Sequence, residues 1–200
     1  MADSQTPMEA DRFFHIYNHA VGNEKLFKSN GNYSHFTMLF KKYMIDYVEL
    51  YAYCLMPNHF HFILKIRSEQ EITNVLKINQ KPFNKAESTS KVLSRQFSHF
   101  FNSYAQAYNK QYNRKGSLFA NRFRRKNIDN EQYFTKLVCY VHLNPVQADL
   151  CSKIEDWQHS SYNSIIKDDS TIIEREKVLK LFEGKQNFIY CHKSDPDISV

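Results

Sequence analysis

Two histidines stand two positions apart in an apolar run, His59-Phe60-His61, and Tyr140 stands one helical turn before Asn144 further along the chain. Imidazole nitrogens and amide oxygens bind divalent cations, and a tyrosine hydroxyl can act as a nucleophile. Side chains alternate along a strand, so both histidines would share the less apolar face and could reach one ion. The opposite face would be the core face, with Phe60, Phe62, Leu64 and Ile66. Taken alone, such a pair is more often hydrogen-bonded within a sheet than bound to a metal.

The segment that carries Tyr140 has the spacing of a helix, with Tyr133, Leu137, Tyr140, Val141 and Asn144 on one side. If that side faces the histidines, Asn144 can supply a third ligand while Tyr140 points its hydroxyl beside the ion. The alternative is structural, because a tyrosine on an apolar helix usually belongs to the core and an asparagine before proline often only ends a helix.

The first half of the chain has patterns that predict strands and one amphipathic helix. Apolar residues that recur at intervals of two indicate a strand, and those that recur at intervals of three and four indicate a helix. They predict a strand over 13–21, a helix over 32–48, and a hairpin of strands 49–56 and 59–66 joined by Pro57-Asn58. A weaker helical pattern covers 69–79, and the polar segment 81–91 predicts an exposed loop.

The second half predicts a long helix over 92–112, ended by the segment from Arg114 to Gly116, and a short strand over 125–128. Asp129 and Gln132 have the spacing of a capping box that would start the next helix, and Pro145 would stop it near Asn144. A short helix is predicted over 174–184. This order favours an α+β fold, a ferredoxin-like antiparallel sheet with packed helices.

Composition predicts one globular domain, because 200 residues with 42% hydrophobic side chains can bury a single core. The formal charge of +6 favours an acidic polymer as partner, although the excess alone is weak evidence. The cysteines form no CxxC pair, and no export signal or run of 18 apolar residues is present, so a reducing cytoplasm and no membrane are expected.

Longer motifs surround the histidines and the tyrosine. The stretches YAYCLMPNHFHFIL at 51–64 and YVHLNPVQADL at 140–150 resemble the REP-associated tyrosine transposases, which are single-tyrosine HUH endonucleases related to the smallest insertion-sequence transposases. The resemblance runs from FFHIYNHAV through GSLFANRFRRK at 116–126 to WQHSSY at 157–162. It implies a transposase domain over 11–166, with a flexible leader over 1–10 and a C-terminal extension over 167–200. Asp149 departs from the family, in which glycine is usual.

The resemblance also implies a chemistry. His59, His61 and Asn144 would hold Mg²⁺ or Mn²⁺, and Tyr140 would attack a phosphodiester to give a covalent 5′-phosphotyrosine. The substrate would be single-stranded DNA with hairpins, which the enzyme cuts and transfers as a metal-dependent endonuclease and strand transferase. Relatives include monomers and homodimers, and the expected place is the bacterial cytoplasm, at the nucleoid when DNA is bound.

A basic stretch with aromatic residues follows the long helix. Cations would follow the DNA backbone and rings would stack on unpaired bases, although a charge run is usually only a solvated loop. The candidates are Arg114, Lys115, Phe119, Arg122, Phe123, Arg124, Arg125 and Lys126. His15, His19 and His142 are expected to have structural or substrate-contact roles.

Two other functional classes are compatible with parts of the pattern. A domesticated protein could bind hairpin DNA or structured RNA without cutting, although the intact set of His59, His61, Tyr140 and Asn144 counts against it. A zinc hydrolase could use the two histidines with an acidic ligand, but no HExxH motif or suitably spaced carboxylate accompanies them.

Overall fold

A computed structural model describes residues 6–78, 88–167 and 171–193. Its sheet has four strands, Phe13–His19 (β1), Val48–Met56 (β2), His59–Ile66 (β3) and Arg124–Ile128 (β4), in the order β2-β3-β1-β4. Every neighbouring pair is antiparallel. With one helix between β1 and β2 and others between β3 and β4, this is the ferredoxin-like order. The predicted α+β class and sheet are confirmed.

The described residues also form seven helices, which cover both faces of the sheet. They are Asn30–Met44 (α1), Glu69–Ile78 (α2), Thr89–Gln111 (α3), Glu131–Gln147 (α4), Tyr162–Ile166 (α5), Arg175–Leu181 (α6) and Lys185–Cys191 (α7), with a 3-10 turn at Ile154–Asp156. Across the described ranges, no helix is both long and apolar enough to cross a membrane. All four cysteines are free thiols.

Helices α1 and α3 cover one face of the sheet with a core made largely of phenylalanine rings. Phe36 on α1 lies 4.7 Å from Phe100 on α3, and Phe40 lies 4.6 Å from Phe62 on β3, measured between ring centroids. All four rings are buried. The apolar alternation of β3 therefore predicted its core face correctly.

The face that carries the histidines is covered as well. Helix α4 packs across it, chiefly against β2, so that Ile63 is fully buried and His61 is 4% exposed. The sequence pattern indicated a less apolar face, but β3 is a central strand with neighbours on both sides. A helix on that face encloses the histidines.

Helix α4 differs from its prediction at both ends. Asn130 and not Asp129 is the N-cap, because its side chain accepts a hydrogen bond from the amide of Tyr133 at 2.8 Å. The helix also continues through Pro145 to Gln147. Proline removes only one donor, and the Ala148 amide still donates to the Asn144 carbonyl at 3.0 Å, so the last turn closes.

The long helix α3 also has different ends from those predicted. Asn113 has a φ of 47° directly after the helix, so it provides the left-handed residue that was expected from Gly116. At its start the helix includes Thr89, so residues 89–91 are helical although they were predicted as loop. Residues 81–87 of that predicted loop, and residue 79 of the helical pattern predicted over 69–79, lie outside the described residues.

Both ends of the described chain pack onto the sheet domain. Met8, in the predicted leader, is fully buried, and its amide donates to Ser90 Oγ at 3.0 Å. In the C-terminal extension, α6 overlaps the predicted short helix and α7 follows it. Val178 and Phe188 from these two helices are fully buried.

Candidate active site

Four predicted site residues meet between β3 and α4. The Nε2 atom of His59 lies 3.2 Å from Oδ1 of Asn144. The ring of His61 lies 5.0 Å from that of His59 and 5.9 Å from that of Tyr140, centroid to centroid. His61 and Asn144 are buried, whereas His59 and Tyr140 are half-buried. His61 and Asn144 are therefore enclosed, whereas solvent can reach His59 and Tyr140.

Each histidine is held through its Nδ1 atom. His59 Nδ1 lies 2.8 Å from Oδ1 of Asn58, and His61 Nδ1 lies 2.9 Å from Nε2 of His15. Bonds of this kind fix the tautomer and ring orientation of metal-binding histidines. The Nε2 atom of each ring is then left for a ligand, and that of His59 faces Asn144 on α4.

Burial favours the neutral form of both rings. It lowers the pKa of His59 to about 4, with a smaller contribution from His19, and it holds the pKa of His61 well below its usual range. Neutral imidazole is the form that binds a metal ion. At neutral pH neither ring needs to lose a proton first.

The surroundings of His59 fit a cation. A neutral ring has one N–H, yet both of its nitrogens face an amide oxygen, from Asn58 at 2.8 Å and from Asn144 at 3.2 Å. If Nδ1 donates to Asn58, the Nε2 lone pair faces another oxygen, which is unfavourable. A cation between Nε2 and Asn144 removes this repulsion, as does rotation of the Asn144 amide. The residues present therefore suit the expected divalent ion.

The donor set of such an ion would be small. Within residues 6–78, 88–167 and 171–193, no three His, Cys, Asp or Glu side chains are arranged to hold a metal. Protein ligands would then be two imidazoles and one amide oxygen, and the remaining positions would go to water or a substrate phosphate. Few ligands and open positions are typical of catalytic sites, whereas structural sites are closed.

Strand β1 adds two histidines that the sequence did not assign to this site. His15 bonds to His61, and the ring of His19 stacks on His59 at 4.7 Å. His15, Tyr17 and His19 alternate along β1, which pairs with β3 in a register that aligns His19 with His59. The alternation was readable, but the register that aligns His19 with His59 was not. Asn58 was missed because it was interpreted only as a turn residue.

The predicted DNA-binding residues lie on both faces of the sheet. Strand β4 is an edge strand, and its register places Arg124 beside Tyr17 and Lys126 beside His15, on the histidine face. Arg125 aligns with Ile16 and points to the opposite face, where it is 7% exposed. Its Cζ atom lies 5.4 Å from the ring centroid of Phe123. One edge strand therefore presents cations to both faces.

A cleft of about 690 Å³ lies on the face away from Tyr140, between α3 and the segment that leads into β4. Arg122, Arg125, Phe119 and Phe123 line it, together with several amide side chains. None of the described residues that line it is acidic. The two rings are half-buried and also pack against Phe101, at 5.3 and 5.5 Å between centroids. The cleft suits an anionic ligand with flat apolar surfaces.

The remaining predicted DNA contacts, Arg114 and Lys115, lie in the loop before this cleft. Arg114 donates to Glu24 at 2.9 Å and to the Ser117 carbonyl at 2.7 Å, so it braces the loop. Lys115 is exposed. Beyond α4, Asp149 has a φ of 53°, in the left-handed region where the family resemblance led us to expect glycine.

Comparison with known proteins gives one result at the level of the fold. No protein-family model matches the chain, and no curated protein matches it. Among solved structures, the chain resembles one described as "Structure of the REP associates tyrosine transposase bound to a REP hairpin". The TM-score is 0.61 at 15% sequence identity, over 86% of this chain and 90% of that chain. The two proteins share a fold.

Proposed function

We propose that this protein is a single-strand DNA endonuclease and strand transferase of the REP-associated tyrosine transposase type. The observation that carries the proposal is the meeting of Tyr140 with His59, His61 and Asn144 under one helix. The sequence separates these residues by about eighty positions, and each is more often structural when taken alone. A nucleophile beside three ligands suitable for a divalent ion is a set that a purely structural role does not require.

The proposed reaction is a transesterification at phosphorus. The Tyr140 oxygen forms a bond to phosphorus, and the bond from phosphorus to the 3′ oxygen breaks. The phenolic proton leaves to solvent or to a neighbouring base, and the departing oxygen takes up a proton to become a 3′-hydroxyl. The 5′-phosphotyrosine that forms keeps a phosphodiester bond, so attack by another 3′-hydroxyl can rejoin the strand.

His59, His61 and Asn144 would hold a divalent ion, Mg²⁺ or Mn²⁺. Such an ion supplies Lewis-acid stabilisation of charge on the phosphate oxygens when bound. The protein's own contribution is orientation, because Asn58 and His15 hold the two rings by Nδ1 and leave both Nε2 atoms for the site. Tyr140 is half-buried, so its position is restricted while a strand can still reach it.

Two basic surfaces support DNA as the substrate. Arg124 and Lys126 lie on the Tyr140 side of β4, where they can contact the backbone of the strand to be cut. The cleft on the other face offers Arg122 with the rings of Phe119 and Phe123, which suit the phosphates and bases of DNA. A strand that reaches both surfaces would pass around the β4 edge. The shared fold with a protein bound to a REP hairpin favours hairpin DNA in particular.

Adduct formation tests the proposal. Wild-type protein incubated with hairpin-bearing single-stranded DNA and Mn²⁺ should give a denaturation-resistant protein–DNA adduct, and Tyr140→Phe should give none. Tyr133→Phe is the matched control, since it removes a phenol two turns earlier on the same helix and should leave the adduct unchanged. An adduct with Tyr140→Phe would refute the nucleophile assignment.

A second candidate is a protein that binds hairpin DNA or RNA without cutting it. The position of the cleft favours this alternative, because it lies across the sheet from Tyr140 and could work without it. Such a protein would bind the hairpin, form no adduct, and show the same affinity with and without the divalent ion.

A further inference from the structure

A buried chain of polar side chains lies behind α4, on the side away from the candidate active site. His192 Nε2 is 2.8 Å from His142 Nδ1, and His142 Nε2 is 2.7 Å from Ser161 Oγ. His142 and Ser161 are fully buried, and His192 is 4% exposed. This hydrogen-bonded chain of side chains connects α4 to the residue that precedes α5 and to the residue that follows α7. With no access from solvent, it is not itself a site.

The hydrogen bonds allow one arrangement of protons. Both rings are buried, and the hydrogen bonds at their nitrogens join them only to neutral groups, so each ring is neutral and has one N–H. His192 Nδ1 lies 2.7 Å from the Phe188 carbonyl and must donate to it. His192 Nε2 then accepts from His142 Nδ1, and His142 Nε2 accepts from the Ser161 hydroxyl. Ser161 Oγ in turn accepts the Tyr53 amide at 2.8 Å.

This arrangement fixes the rotation of α4 about its axis. His142 stands between Tyr140 and Asn144, and at about 100° per residue its side chain leaves the helix on the opposite side. Turning the helix to move Tyr140 would also pull His142 from both partners, leaving polar groups unsatisfied in a buried place. The hydrogen bonds of His142 therefore restrict the orientation of Tyr140 and Asn144 on the opposite side of α4.

The C-terminal segment that brings His192 is itself anchored to the sheet. Ile173 forms a parallel bridge with Leu50 on β2, and the Glu174 amide donates to the Leu50 carbonyl at 2.8 Å. Phe188 on α7 is fully buried, with its ring 4.2 Å from that of His192 and 5.7 Å from that of Tyr162. These contacts hold α7 firmly enough for His192 to act as a fixed acceptor.

We propose that His192, acting through His142 and Ser161, is a positioning residue that sets the orientation of Tyr140 and Asn144. The proposal rests on the proposed function of Tyr140. It assigns a role to the segment 171–193: this segment completes the support of the catalytic helix. Because small displacements of a reacting group slow a reaction strongly, the loss of the acceptor should affect cutting far more than DNA binding.

Two variants of His192 in the full chain test the proposal. His192→Phe keeps a ring against Phe188 but removes the acceptor, and His192→Gln keeps an acceptor oxygen without the ring. We expect single-turnover adduct formation to slow on the order of 10- to 100-fold in the phenylalanine variant, with hairpin affinity unchanged, and to recover in the glutamine variant. Tyr190→Ala, two residues earlier on α7 and 70% exposed, should match wild type.

Equal adduct rates in the phenylalanine variant and wild type would overturn the proposal, and so would a loss that glutamine does not restore. Nitrogen NMR of the wild-type histidines is a second test that requires no activity and no variant that must fold. We expect protons on Nδ1 of His142 and His192, and a proton on Nε2 of His142 would overturn the arrangement. If wild type forms no adduct, the proposed function fails, while the NMR result still decides the hydrogen-bonded chain.

Discussion

The two faces of the sheet differ in the groups that they offer a ligand. The Tyr140 face presents neutral imidazoles, an amide oxygen and one phenol, held in place by Asn58 and His15. The cleft face presents arginines, amides and half-buried rings in a space of about 690 Å³. The first suits a reaction at one phosphate, and the second suits an extended contact. DNA recognition and the cutting reaction can therefore be lost separately, so substitutions on the two faces should have different effects on binding and on adduct formation.

The largest expected loss of adduct formation in this comparison follows the substitution of a proposed metal ligand on the Tyr140 face. His59→Ala removes a proposed metal ligand that is only half-buried, so the fold should survive the change. Loss of an ion's stabilisation of the transition state is worth several kcal/mol, or about a thousandfold in rate. We expect adduct formation to fall by that order while hairpin affinity in an excess of EDTA stays the same. The exposed His99→Ala is the control. A rate within threefold of wild type (a threshold of about 0.7 kcal/mol) would remove His59 from the metal site.

A smaller effect, on metal affinity, is expected for a residue that contacts a proposed metal ligand and not the ion itself. His15→Leu fills the same buried space but removes the partner of His61 Nδ1. Partners of this kind typically change metal affinity by about 10- to 100-fold. Titration with Mn²⁺, followed by paramagnetic resonance, should show weaker binding in this range. Unchanged affinity would mean that His15 does not orient the ligand.

Substitutions of basic residues on the two faces should lower the salt dependence of DNA binding equally but differ in their effect on adduct formation. Arg122→Gln, in the cleft, and Arg124→Gln, on the Tyr140 face, should each lower the slope of log affinity against log salt by about 0.7 to 0.9, the value for one lost phosphate contact. Only Arg124→Gln should also slow adduct formation at saturating DNA. If Arg122→Gln slows the saturated reaction equally, the separation between the faces is wrong.

The smallest effect concerns the start of the helix that carries Tyr140. Asn130→Ala removes the side-chain cap of α4 and should lower the free energy of unfolding by about 1 kcal/mol. Asp129→Ala, the position that the sequence pattern favoured, should have a smaller effect in urea denaturation. The reverse order would restore the original assignment of the cap.

Local patterns predicted the fold well because each depends on neighbouring residues. The alternation in β3 identified its core face, and the helical spacing of α1 and α3 identified the helices that cover it. Pro145 shows the limit of such patterns, since one missing donor near the end of a helix does not stop it when the Ala148 amide still reaches the Asn144 carbonyl. Helix ends depend on these few bonds, which composition does not reveal.

For the site, the four central residues were predicted from spacing and from the motifs around them, and the structure brings them together. The roles of His15 and Asn58 depend on strand pairing and turn geometry, which one sequence does not display. The division of Arg124 and Arg125 between two faces was missed because a charge run was interpreted as one surface. His192 had no local signal, since its partner His142 lies fifty residues away.

The central claim is that Tyr140 forms the bond to DNA, and mapping the adduct by mass spectrometry tests it most directly. Trypsin should release residues 137–153, a peptide in which Tyr140 is the single tyrosine. After nuclease treatment of the adduct made with hairpin DNA and Mn²⁺, we predict a nucleotide attached to this peptide through Tyr140. A nucleotide attached to any other residue, or an adduct that persists in Tyr140→Phe, would contradict the account.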